Sequence, residues 1–190
     1  SAFIKASKNI FSHFVQPKGL KIFIDGSISQ NTAAMSSNES PTYRLTDEEI
    51  KTRMHDAFVN LKCDLAVHTI GDLALEKVLK MYSELQDLHP IHNNLHFEHA
   101  PIFSIDCLEL LKKKKLNCIF HFQPSHWIKD KHWYLKNYMN LKTHEIYPFS
   151  FLEEYGYPFY FGSDAPVEES FKELTLKGLK EIEKTKTLKL

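Results

Sequence analysis

Short apolar runs alternate along this chain with longer stretches whose apolar residues recur every three or four positions. Leu20-Lys21-Ile22-Phe23-Ile24-Asp25 is a β-rich run stopped by Gly26, and period-two alternation puts Lys21, Phe23 and Asp25 on one side. Asp64-Leu65-Ala66-Val67-His68 stops on a histidine and passes through Thr69-Ile70-Gly71-Asp72 into a helical pattern. Asn94 to His99, Leu116 to Gln123 and Phe159 to Asp164 repeat the form of a run that ends on a polar, chemically capable residue. Between the runs, Thr46 and Glu49 form a capping box ahead of Ile50, Met54, Ala57, Phe58 and Leu61. Leu73, Leu75, Val78, Leu79, Tyr82 and Leu85 predict a second helix ending near His89-Pro90, and Ser104, Ile105, Leu108, Leu110 and Leu111 predict a third. Pro148 to Tyr155 offers a shorter one. Strand then helix, repeated about five times, predicts an α/β fold with a parallel sheet and helices outside it, curved as part of a barrel or open as a wound sheet.

The remaining stretches carry less pattern. Residues 1–19 form a lead-in with Phe3, Phe11 and Phe14, closed by a turn at Pro17-Lys18-Gly19, ahead of a body over 20–167. Ser27 to Leu45 reads as a long loop over the open end of the sheet. Pro124-Ser125-His126-Trp127 follows the fourth run, and a loop with Trp133 and Tyr134 comes after it. Residues 168–190 are a charged helical tail.

Composition narrows the function classes. Lysine plus arginine and aspartate plus glutamate stand at 24 each, so no global field draws nucleic acid or an anionic membrane, and a small-molecule partner fits better. The Lys112 to Lys115 run is a helix end that complements the dipole, with nucleic-acid binding a distant second reading. Cys63, Cys107 and Cys118 lack any CxxC pairing and sit in or beside apolar patterns, which points to reduced thiols and a cytoplasmic chain. Neither a signal peptide nor an apolar run near the ~18 residues of a membrane span is visible.

Strand ends are where reactive groups gather in barrels of alternating strands and helices. His68, His99 and Asp164 end three successive strands, and imidazole and carboxylate are ligands suited to a divalent ion such as zinc. A single strand-end histidine is more often structural, but three such groups in register favour a metal site. Lys21 reads either as a snorkelling surface lysine or as a buried amine pushed towards neutrality. A neutral amine of that kind can take up carbon dioxide and become a carbamate ligand.

Five segments in order then resemble the signatures of the amidohydrolase superfamily: Gly19 to Ser27, Ala66 to Asp72, Phe97-Glu98-His99-Ala100, Phe122-Gln123-Pro124-Ser125-His126 and Phe161 to Val167. The chain is most similar to the amidohydrolase 3 branch of YtcJ-like proteins and N-substituted formamide deformylases. The resemblance implies a (β/α)8 TIM-type barrel holding one or two divalent ions, zinc foremost, with Lys21 as a carbamylated ligand, His68 and His99 as ligands, and Asp164 as ligand and proton acceptor. It implies hydrolysis of an amide or formamide-like carbon–nitrogen bond, other than a peptide bond, through a metal-activated water. Asp72, Gln123, His126 and Trp127 would line the substrate pocket, although Asp72 also reads as a helix cap and Trp127 as core.

The family's first barrel strand carries His-x-His, and none occurs in these 190 residues. A complete barrel takes about 250 residues, so the expectation is the carboxyl-terminal part alone, about strands four to eight. Such a chain would associate with itself or with a complementary barrel half, or else be a truncated, inactive half-barrel. Asn31 stands where the family commonly carries arginine, and so does His96.

Overall fold

A computed structural model describes residues 18–138, 142–167 and 172–187. Seven strands are present among them: β1 Gly19–Phe23, β2 Asp64–Thr69, β3 Leu95–His99, β4 Ile102–Ser104, β5 Cys118–Phe122, β6 His144–Ile146 and β7 Phe159–Phe161. The helices are α1 Asp47–His55, α2 Asp72–Leu88, α3 Ile105–Lys113, α4 Pro124–Asn137, α5 Phe149–Glu154 and α6 Lys172–Thr187, with a wider π turn over Asp56–Leu61 after α1.

Five strands form one parallel sheet in the order β1-β2-β3-β5-β7. Strands added in chain order, with helices between them, make an arc of a (β/α)8 barrel, and their number agrees with the expected strands four to eight. The lead-in, up to residue 17, and Phe171 of the tail lie outside the described residues.

Side-chain alternation divides the sheet into a dry face and a wetter one. Leu65, Val67, Leu95, Phe97, Cys118, Phe120 and Phe122 are buried under the helices. Ala66, His68, His96, Glu98, Ile119 and His121, on the other face, are only partly covered. Parallel strands usually read as continuous apolar runs because both faces are covered; here the second face carries imidazoles and charges.

The helix ends follow the expected chemistry. Thr46 accepts from the Glu49 amide while the Glu49 side chain returns to the Thr46 amide. Thr46→Ala, which removes half of that exchange, is expected to lower stability by about 1 kcal/mol in urea unfolding. Ser104 caps α3 by accepting from Cys107 N. Cys107 and Cys118 are buried free thiols, and burial pushes the Cys107 thiol up to about 12. Among the described residues no helix is long and apolar enough to cross a membrane.

Three departures from the sequence reading matter for the site. The Ser27 to Leu45 loop is not simply draped over the sheet end: Ala33, Ala34 and Met35 are buried in the core. A Cβ on Gly71 would lie 2.0 Å from the Ala34 carbonyl oxygen, so only glycine permits that close approach. Pro124 to Asn137 is helix rather than loop, because proline at the first helical position is preorganised for a helix and leaves no amide unpaired there. Strands β4 and β6 pair antiparallel, Ile102 with Ile146 and Ser104 with His144; three-residue strands so far apart in sequence leave no periodic signal.

The tail helix α6 packs against α4. A Cβ at Gly178 would lie 2.0 Å from the Pro124 carbonyl oxygen, so α6 rests on the first turn of α4 through this glycine. Gly178→Ala would force the helices apart despite alanine's better helix propensity, and should cost about 1–3 kcal/mol in thermal or urea unfolding.

Candidate functional site

Asp25, just beyond β1, organises the carboxyl ends of the strands. It is wholly buried, and its carboxylate accepts from Ala34 N at 3.0 Å, Ile70 N at 3.0 Å and Gly71 N at 2.7 Å. One side chain thus ties the end of β1, the long loop and the turn into α2. Burial pushes this carboxyl up, while the three amides and the nearby His68 ring act to lower it.

His68 projects on the wetter face, with Nε2 at 2.9 Å from the Gly26 carbonyl oxygen. A carbonyl only accepts, so Nε2 carries the proton and Nδ1 the lone pair. Strict alternation would send His99 the other way, because its register partner is Thr69 rather than His68. Instead the backbone turns left-handed, with φ of 73° at His99 and 36° at Ala100. The His99 ring meets the edge of His68 with centroids 4.6 Å apart. Asp164 is also left-handed, with φ 58°. Such conformations cost a non-glycine residue about 1–2 kcal/mol and collect at functional sites.

His99 is buried, and its Nδ1 donates to Gln123 Oε1 at 2.7 Å. That bond fixes the tautomer and leaves the Nε2 lone pair 4.0 Å from Asp164 Oδ2. The His126 ring stacks on His99 at 5.6 Å. Burial first, then the His68 and His126 rings, pushes the His99 imidazole down to about 3, so it stays neutral.

A cavity of about 570 Å³ gathers Lys21, His68, His99, Gln123, His126 and Asp164. These are six of the eight residues singled out from the sequence. Asp72 and Trp127 are elsewhere. Asp72 is buried at the start of α2 and accepts from Ser36 N, Tyr138 OH and His144 Nε2, pinning the loop and β6. The helix-cap reading is corrected here: Gly71 is the N-cap of α2, and no side chain caps it. Trp127 is buried in the core, stacked on Tyr134 at 5.4 Å. His126, Lys129, Asp130 and Tyr134 lie along one side of α4 and all line the cavity, whereas Trp127, only ~20° from Tyr134 around the helix, spends its ring on the stack with Tyr134 in the core. Reading that stretch as loop hid the i, i+3, i+4, i+8 spacing that would have found Lys129 and Asp130. Tyr147, which follows the unforeseen strand β6, also lines the cavity.

Lys21 takes the surface alternative of the two open from the sequence. Its side chain lies on the open face and is exposed, with Nζ 5.4 Å from the Phe23 ring centroid.

The donor chemistry suits a divalent ion. The imidazoles of His68 and His99 and the carboxylate of Asp164 are of the preferred types, and Gln123 supplies the outer hydrogen bond that usually orients a ligating histidine. The set is open rather than caged: among the described residues no three histidine, cysteine or carboxylate side chains converge closely enough to enclose an ion.

Comparison with known proteins agrees with this chemistry. The amidohydrolase family model matches residues 4–176. The putative amidohydrolase YtcJ of Bacillus subtilis (strain 168) is 26% identical over 162 residues, covering 82% of this chain and 30% of that protein. The crystal structure of an uncharacterized metal-dependent hydrolase from Pyrococcus horikoshii OT3 superposes with TM-score 0.72 at 26% identity, over 93% of this chain and 36% of that one. A second, from Pyrococcus furiosus, gives TM-score 0.72 at 24% identity, over 92% and 37%. The chain therefore spans about a third of the length of each of these three proteins.

Proposed function

This chain belongs to the amidohydrolase family, and from that premise we propose that it carries part of a metal-dependent hydrolase site that cleaves a carbon–nitrogen bond in a small amide-type substrate. The observation that supports this most is the left-handed turn at His99, which sets its ring against His68 and its Nε2 towards Asp164 at the mouth of one cavity. His68, His99 and Asp164 would hold the ion, zinc foremost, with a carbamylated Lys21 as a further donor. When bound, such an ion polarises a carbonyl and brings the pKa of water towards ~7.

The remaining work falls to the chain's own groups. Asp164, whose side chain is 31% exposed at the mouth, takes the proton of the attacking water and passes it to the leaving nitrogen. Gln123 holds the His99 ring in one tautomer. His126, stacked on His99, and the Tyr134 and Tyr147 walls orient the substrate.

A second reading, binding without turnover, is favoured for the chain by itself by the exposed Lys21 amine and the uncaged donor set. The two readings meet in one experiment. Zinc content after dialysis, measured by elemental analysis, should be low, and amides, formamides and cyclic imides should not turn over. Adding a segment that carries a His-x-His strand should raise both zinc content and rate. Asp164→Asn should then keep part of the zinc and abolish the rate. A rate that survives Asp164→Asn, or that ignores chelator, would overturn the hydrolase reading.

A further inference from the structure

A second imidazole cluster lies on the wetter face of the sheet, separate from the cavity at the strand ends. His96 Nδ1 and His121 Nε2 are 2.9 Å apart, and the rings stack with centroids 5.2 Å apart. On the far side of His96, Nε2 lies 3.4 Å from Asp64 Oδ2, and Asp64 Oδ1 in turn accepts from Asn94 N at 2.9 Å. A carboxylate only accepts, so His96 carries its proton on Nε2 and its lone pair on Nδ1. His121 therefore donates from Nε2 in the pair as it stands.

We propose that His96 and His121 form a binding site for an imidazole-preferring divalent transition ion, with Asp64 orienting His96 from behind. Two nitrogens bound at 2.0–2.1 Å to one tetrahedral ion lie about 3.3 Å apart, so the pair needs to open by only a few tenths of an ångström. Neutral His121 frees its Nε2 by moving that proton to Nδ1, and no net proton is released. Carboxylate, histidine and ion in line is the usual outer-shell arrangement. Glu98 is the register partner of His121 on the same face, but among the described residues no third side chain closes on the pair, so water fills the remaining positions. Lys18 and Lys21 line the same groove as Asp64 and Glu98, so ligation rather than net charge drives binding. The site depends on a departure noted in the sequence, since His96 stands where the resembled family commonly carries arginine, which cannot ligate.

The test is a Cu2+ titration of the full chain, followed by calorimetry and by electron paramagnetic resonance. It is run in a His99→Ala background so that the cavity at the strand ends does not contribute. One ion per chain should bind with the signature of two imidazole nitrogens. Adding His121→Asn or His96→Arg should weaken binding at least tenfold and remove that signature, and the arginine, being the family's residue, serves as the variant that keeps the fold. In the unaltered chain, substoichiometric Cu2+ should broaden the His96 and His121 ring resonances together. Unchanged affinity in both variants, or broadening that spares this pair, would overturn the proposal. Loss confined to His99→Ala would assign the binding to the strand-end cavity instead.

Discussion

Replacing Asp25 by alanine is expected to cost about 3–5 kcal/mol of unfolding free energy, because it strands three buried amides at once. Hydrogen bonds to a charged group are worth about 1.5–3 kcal/mol each, and those of Asp25 reach Ala34, Ile70 and Gly71 across 9, 45 and 46 residues of sequence. Water entering the space recovers part of the loss, which keeps the total below the simple sum. Asp25→Asn should cost less, about 2–3 kcal/mol, since its amide keeps one accepting oxygen but sets an NH2 against a donor wherever it points. Urea unfolding gives the totals, and amide exchange at Ile70 and Gly71 locates them. A loss under 1 kcal/mol for the alanine variant would mean that the loop and turn hold together without the carboxylate.

The second large effect concerns His99. On the hydrolase reading, His99→Ala should lower zinc affinity by about two orders of magnitude, and Gln123→Leu by 10–100-fold through loss of the outer hydrogen bond. Stability separates the ring from the backbone that carries it. Alanine keeps the penalty of a left-handed φ, whereas glycine does not, so His99→Gly should be more stable than His99→Ala by about 1–2 kcal/mol while binding zinc no better. Equal stability of the two variants would show that the turn at 73° is not strained. Full zinc affinity in either would remove His99 from the ligand set.

Much of this was legible in the sequence. Period-two runs and helical spacing gave the parallel order of the five main strands, the capping box at Thr46 and the helix over Asp72–Leu88. The strand-end rule brought His68, His99 and Asp164 to one mouth. Alternation alone would have put His99 on the wrong face, since only the φ of its own backbone reverses it. Asp25 was legible as the end of a strand but not as an anchor, because its three partners are amides, which every residue has. The two readings of Lys21 could not be decided either, since an apolar strand looks the same whether one of its faces is covered or open. Lys129 and Asp130 were missed for a simpler reason: their stretch was read without a helical period.

The contact of Gly178 with Pro124 gives the cavity a wall whose position is set from behind. Helix α4 presents His126, Lys129, Asp130 and Tyr134 to the cavity, while its first turn is backed by α6 with no room for a methyl group between them. A rigid helix transmits displacement along its length, so a few tenths of an ångström gained at Gly178 should reappear as a change in the gap between His126 and His99. The tail helix is therefore a lever on the width of the cavity, and a substitution or fusion there should alter ligand fit without touching a residue that meets the ligand.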